Sequence, residues 1–120
     1  MRIHSIILLL FLLVISPVAG SISITDSTAS KFDRYFYEGV RQREQENYAA
    51  AFDIFRYCHR LNPNDAALLS ELGKLYFAIG RQEEGTRYLE QAYRLYSDNK
   101  NYGNILGAVY ERQGRADDAV

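Results

Sequence analysis

Beyond residue 30 the apolar positions keep the period of amphipathic helices. In "ELGKLYFAIG", residues 71–80, Leu72, Leu75, Tyr76 and Ile79 recur at three- and four-residue spacing, and Ile105, Leu106, Val109 and Tyr110 do the same further on. Polar breaks separate such stretches: "NPND" at 62–65, and a glycine followed by arginine at 80–81 and 114–115. The pattern predicts helices near residues 31–45, 48–61, 66–79, 82–96 and 100–113, and no strand between 32 and 113. One feature resists it. Gly73 lies inside a predicted helix, where glycine costs roughly 1 kcal/mol relative to alanine.

Internal repetition accounts for Gly73. Gly39, Gly73 and Gly107 are each 34 residues apart, and so are Gly80 and Gly114. At that period Leu72 matches Leu106, Tyr76 matches Tyr110, and Ala51, Gly85 and Ala119 share a small position. Phe55 pairs with Leu89, Cys58 with Ala92, and Pro63 with Ser97. A residue without a side chain lets two helices cross closely, so Gly39, Gly73 and Gly107 are expected to face Ala51, Gly85 and Ala119, each 12 positions later. Alanine at 73 would raise helix propensity and add only one methyl, whereas leucine would overpack the crossing. Gly80 and Gly114 fit helix C-termini in the left-handed conformation, with Asn47 serving near the same place in the first unit. Asn64 or Asp65 is expected to cap the helix that follows "NPND".

This phased set resembles the tetratricopeptide repeat family, a 34-residue helix–turn–helix unit. The second unit supplies Leu69, Leu72-Gly73, Tyr76, Gly85, Leu89, Ala92 and Ser97. The first supplies Tyr35, Gly39, Ala51, Phe55, Cys58 and Pro63 but has Glu38 and Gln42 where Leu and Tyr belong. The third has Leu106-Gly107, Tyr110 and Ala119, with Gly103 at the bulky site. The resemblance implies an all-α fold, a right-handed α-solenoid of about two and a half units at 32–65, 66–99 and 100–120. Arg34, Glu38, Arg41, Gln42 and Gln45 replace Leu68, Leu72, Leu75, Tyr76 and Ile79 of the second unit, the pattern of a terminal unit with a solvated outer face. Residues 116–120, "ADDAV", begin a further helix, so the chain reads as the start of a longer protein.

The N-terminus follows a different rule. Arg2 precedes an unbroken apolar run from Ile6 to Ile15, too short for the roughly 20 residues a bilayer span needs. With small Val18 and Gly20 after it, the run fits a secretory signal peptide at 1–20, cleaved after Gly20. Lipid anchoring would need cysteine where Ser21 stands. Residues 21–31, rich in Ser and Thr, read as a solvated linker. Removal of the leader leaves 13 basic against 15 acidic side chains, a balance of −2 for the mature chain against −1 for the whole. That balance gives no basic surface for nucleic acid. A lone cysteine suits an oxidising compartment, since no second thiol is present to mispair.

Catalytic chemistry is not expected. Cys58 and His59 are helix neighbours that point apart, and the only other histidine, His4, lies in the leader. No glycine loop has phosphate-binding spacing, and no cofactor or metal is implied. What the family resemblance implies is binding of a protein or peptide in a groove lined by the first helix of each unit. The matching positions are Asp33, Phe36, Val40 and Arg43, then Ala67, Ser70, Lys74 and Phe77, then Asn101, Asn104, Ala108 and Glu111. Family members that grip a C-terminal carboxylate use Lys, Asn and Arg at positions held here by Phe36, Val40, Glu71, Asn101 and Ile105, and Glu71 is expected to repel such a ligand. The function implied is an exported interaction scaffold, periplasmic in a Gram-negative bacterium. The alternatives are the extracytoplasmic sensing segment of a membrane-bound regulator and a non-catalytic appendage of an enzyme. Membrane association would need an anchor downstream.

Overall fold

The computed structural model describes residues 24–115, and among them it contains five α-helices and no strand. They are α1 (Ile24–Glu44), α2 (Tyr48–Leu61), α3 (Ala66–Ala78), α4 (Gln82–Leu95) and α5 (Lys100–Arg112). α1 pairs with α2 and α3 with α4 as antiparallel hairpins, and each hairpin stacks on the next through α2 against α3 and α4 against α5. The arrangement is a helical repeat solenoid. The leader at 1–20 and the last segment, 116–120, with Ala119, lie outside the described residues.

The turns repeat as faithfully as the helices. Within each hairpin the chain closes through the same six-residue backbone bond: Asn47 N–H to Gln42 C=O at 2.9 Å, Arg81 to Tyr76 at 2.9 Å and Arg115 to Tyr110 at 2.8 Å. This bond requires a left-handed residue one position earlier. Gly80 (φ 80°) and Gly114 (φ 69°) supply it, as their sequence positions predict. In the first hairpin the left-handed residue is Glu46 (φ 63°), not Asn47, which has φ −79° and precedes α2. The period agrees with this geometry: Glu46 is 34 residues before Gly80.

Between hairpins side chains do the capping. Asp65 accepts the Leu68 N–H at 2.9 Å and Asn99 accepts the Asn101 N–H at 3.0 Å, each satisfying a donor in the first turn of the helix that follows. Glu83 and Glu84 occupy the first turn of α4, where carboxylates favour the helix dipole. The bond from its own backbone N–H and the adjacent Arg81 hold Glu84 below the usual carboxylate range.

α1 starts earlier than the sequence pattern predicts, so residues 24–30 are helical rather than linker. They contain neither Gly nor Pro, and once Phe32, Tyr35 and Phe36 pack against α2, each added turn costs far less than nucleating a new helix. Residues 27–30 remain exposed, as a solvated segment should be.

Phe32, Ala51, Phe55, Cys58, Leu68, Leu72 and Leu75 form the largest buried cluster, spanning the first two units. Leu89, Leu106 and Tyr110 join the second to the third. The outer face of α1 is polar where α3 is apolar. Arg34 and Arg41 are exposed, while their counterparts Leu68 and Leu75 are fully buried; Gln45 and its counterpart Ile79 are both exposed. On that face Glu38 accepts from Gln42 at 2.7 Å and from Arg41 at 2.8 Å, bonds that keep its carboxyl below the usual range. α1 is the solvated end of the solenoid.

The close crossing at Gly73 is as expected. A Cβ there would stand 2.9 Å from Leu89 Cγ and 3.0 Å from the Gly85 carbonyl oxygen. Two other glycines behave differently. The space beside Gly39 is filled by the Phe55 ring, which would clash with a Cβ there, so a ring packs at this site rather than the small Ala51. A Cβ on Gly107 would meet no described atom within 4 Å outside its own stretch of helix.

Candidate binding groove

The first helices of successive units, α1, α3 and α5, lie on one side of the solenoid, and α4 closes the space between the last two. α3 contributes Lys74 and Phe77 to this space, α4 contributes Gln82 and Leu89, and α5 contributes Ile105, Ala108, Val109 and Arg112, with Gln113 just beyond its end. Together they line an open groove of about 540 Å³, within the roughly 300–1,000 Å³ usual for specific sites. Its floor is apolar. Leu89 is buried, and Phe77, Ile105 and Val109 are packed against Leu89, Leu106 and Tyr110.

Helical spacing explains why these side chains meet. Ile105, Ala108, Val109 and Arg112 stand three or four residues apart on α5, and Lys74 and Phe77 are three apart on α3. The groove's shape depends on glycine. The Phe77 ring comes within 2.9 Å of where a Cβ on Gly85 would sit, so this small residue on α4 seats the ring that forms one wall.

Charge is distributed unevenly around the groove. Glu71, only 12% exposed in its side chain, accepts from Arg43 Nε and from Lys74 Nζ, both at 2.7 Å. A single carboxylate thus links α1 to α3 and holds two cations. The repulsion expected of Glu71 toward an anionic ligand is cancelled by this pairing. Arg112 forms no ion pair among the described residues.

Of the positions expected to line a groove, Lys74, Phe77 and Ala108 are brought together. The others divide. Phe36 stacks on Phe32 with ring centroids 5.8 Å apart and tilts against Phe55 at 6.2 Å, so its ring belongs to the first-unit core rather than to a free binding surface. Val40 is half-buried against the same cluster. Ser70 is 3% exposed and has no open surface to offer. Arg43 is committed to Glu71. Asp33, Ala67, Asn101, Asn104 and Glu111 are exposed but lie outside the groove lining. The expectation missed Leu89, Ile105, Val109 and Arg112. Its signal was nevertheless present, because the apolar pairs Ile105–Val109 and Leu106–Tyr110 form a stripe wider than one packed neighbour needs.

Elsewhere, aromatic rings fill the joints between helices, both across and within units. Phe52 meets Tyr76 edge-on at 5.0 Å, and Tyr76 stacks on Tyr88 at 5.3 Å. Burial and the neighbouring Tyr76 raise the Tyr88 hydroxyl above its ordinary pKa. Cys58 is fully buried with its thiol directed at the Phe32 carbonyl 4.0 Å away, and desolvation pushes its pKa up to about 11. A nucleophilic cysteine needs the opposite shift. Among the described residues there is no group of three His, Cys, Asp or Glu side chains able to hold a metal ion, and no helix is long and apolar enough to cross a membrane.

Comparison with known proteins agrees with this architecture. No protein-family model matches the chain. A tetratricopeptide repeat-containing protein of Pseudomonas aeruginosa, PA4667, is 36% identical over 53 residues, which is 44% of this chain and 9% of that protein. Among solved structures, MamA superposes with a TM-score of 0.67 at 22% identity, over 73% of this chain and 52% of MamA. A variant of MamA with arginine replaced by glutamate gives 0.63 at 19% identity, over 75% and 66%. At these identities the structural likeness establishes the fold: helical repeats of the tetratricopeptide type. The chain spans only part of each protein it matches.

Proposed function

We propose that this chain of tetratricopeptide repeats is an exported, non-catalytic scaffold that holds a partner protein through the groove between α3 and α5. The observation that carries the reading is the groove itself. It is an open site of about 540 Å³ with an apolar floor, walled by helices fixed through close crossings and flanked by Lys74, which is held in place on α3. Apolar floors with a few oriented polar groups are how extended segments are gripped, with side-chain pockets giving specificity. Export rests on the apolar run Ile6–Ile15 and the small residues that follow it.

Two experiments test the two halves of the reading. A photo-crosslinking residue at Ala108, exposed beside the groove, is expected to capture the partner, and the same residue at Arg56 on α2 is not. Capture from Arg56 alone would overturn the assignment of the groove. Fusion of residues 1–21 to a reporter enzyme that works only after export is expected to give activity outside the cytoplasm and a processed chain beginning at Ser21. A reporter that stays inside would remove export from the account and leave the groove untouched.

A further inference from the structure

We propose that the groove selects a peptide segment in which an acidic side chain stands beside an aliphatic or aromatic one. The inference rests on the function proposed above and specifies its ligand. Its basis is charge complementarity. The chain as a whole carries more acidic than basic residues, yet the lining of this groove contains Lys74 and Arg112 and no carboxylate.

The one acidic side chain close to it does not offset those cations. Glu71 is shared between Arg43 and Lys74, so the three together carry a net charge of +1, presented toward the groove by Lys74. Arg112, with no ion pair among the described residues, adds a second positive group on the opposite wall. Glu111 is its neighbour in sequence, but adjacent helical residues project in different directions, and Glu111 is not part of the lining. Between the cations lies the floor of Phe77, Leu89, Ile105 and Val109. A ligand that matches this arrangement places an apolar side chain on the floor and a carboxylate at the rim. There the guanidinium of Arg112 is able to bind it through two parallel hydrogen bonds. Lys74 is held by Glu71 rather than free to swing out, so it acts as a fixed positive charge that speeds encounter with acidic segments.

The test uses three fluorescein-labelled pools of octapeptides that share randomised apolar positions and differ only at fixed alternate sites, which carry Glu, Gln or Lys. Binding to the full chain is read by fluorescence anisotropy, with circular dichroism to confirm that each variant is folded. The Glu pool is expected to bind about tenfold more tightly than the Gln pool at low salt, with the gap narrowing near about 0.5 M salt. Arg112→Glu is expected to abolish the preference. Glu71→Gln, which removes the charge shared by Arg43 and Lys74, is expected to strengthen binding of the Glu pool, and Arg56→Ala to leave all three pools unchanged. Equal binding of the Glu and Gln pools, tighter binding of the Lys pool, or an unchanged preference in folded Arg112→Glu would overturn the acidic specificity while peptide binding stood. Failure of every pool to bind folded protein would overturn the peptide-binding reading together with it.

Discussion

Glu46 occupies a backbone conformation that its repeat partners at 80 and 114 assign to glycine. A side chain in the left-handed region costs on the order of 1 kcal/mol. Glu46→Gly is therefore expected to stabilise the protein by about 0.5–1 kcal/mol, less than the full cost because glycine also loosens the unfolded chain. Chemical denaturation checks it through a higher midpoint with an unchanged slope. The period pointed to this position, but residue type pointed to Asn47, since asparagine tolerates left-handed angles well. Backbone bonding at the turn decided between them, and nothing in the local sequence carried that information. Cys58 was more legible, because its repeat partner Ala92 marks the site as small and buried. Its thiol pKa of about 11 exceeds the ordinary value near 9, so the folded state holds its proton more tightly. Stability from this group is complete below about pH 9 and is lost as pH rises toward 11, on the order of 2–3 kcal/mol. Cys58→Ala is expected to flatten that part of the stability–pH curve, which isolates the contribution of this thiol.

The helix crossing at Gly73 is the element-scale feature on which the second unit depends. Sequence reasoning treats alanine there as a mild change, but the structure does not. The added methyl would meet Leu89 at 2.9 Å and the Gly85 carbonyl at 3.0 Å, and the carbonyl cannot move without shifting α4. Gly73→Ala is expected to destabilise by about 1–2 kcal/mol despite its higher helix propensity, and Gly73→Leu by more, as overpacking does. Thermal unfolding of both variants checks the order. A Gly73→Ala protein as stable as the parent would show that the crossing is slack. Helix positions were readable because the 34-residue period, the left-handed glycines and the Asp65 cap agree with one another. The early start of α1 was not. Serine and threonine are weak helix formers, so "SISITDSTAS" carries no helical signal, and what extends the helix is packing of Phe32 and its neighbours further along.

Across the whole molecule, the solenoid divides the apolar residues between joints and groove, and sequence alone assigned that division only in part. Phe36 and Phe77 stand on the first helices of successive units, 41 residues apart and so seven positions out of register, and both were expected to line the groove. Yet Phe36 is stacked into the first-unit core and Phe77 is seated over Gly85. Which ring is covered depends on the neighbouring helix, which a one-dimensional period does not specify. Phe77→Ala is accordingly expected to lower stability by about 1–3 kcal/mol, less than a fully buried phenylalanine would cost because the ring is only half covered. Loss of binding in that variant therefore counts in favour of the groove only alongside a melting curve that shows the protein still folded. The central claim, that the α3–α5 groove holds the partner, is tested most directly by titrating isotope-labelled protein with the captured partner and following backbone amide shifts by nuclear magnetic resonance. The account predicts that the shifts concentrate on Lys74, Phe77, Ile105, Ala108 and Arg112. Shifts concentrated on the exposed residues of α2 and α4, with the groove amides unmoved, would contradict it.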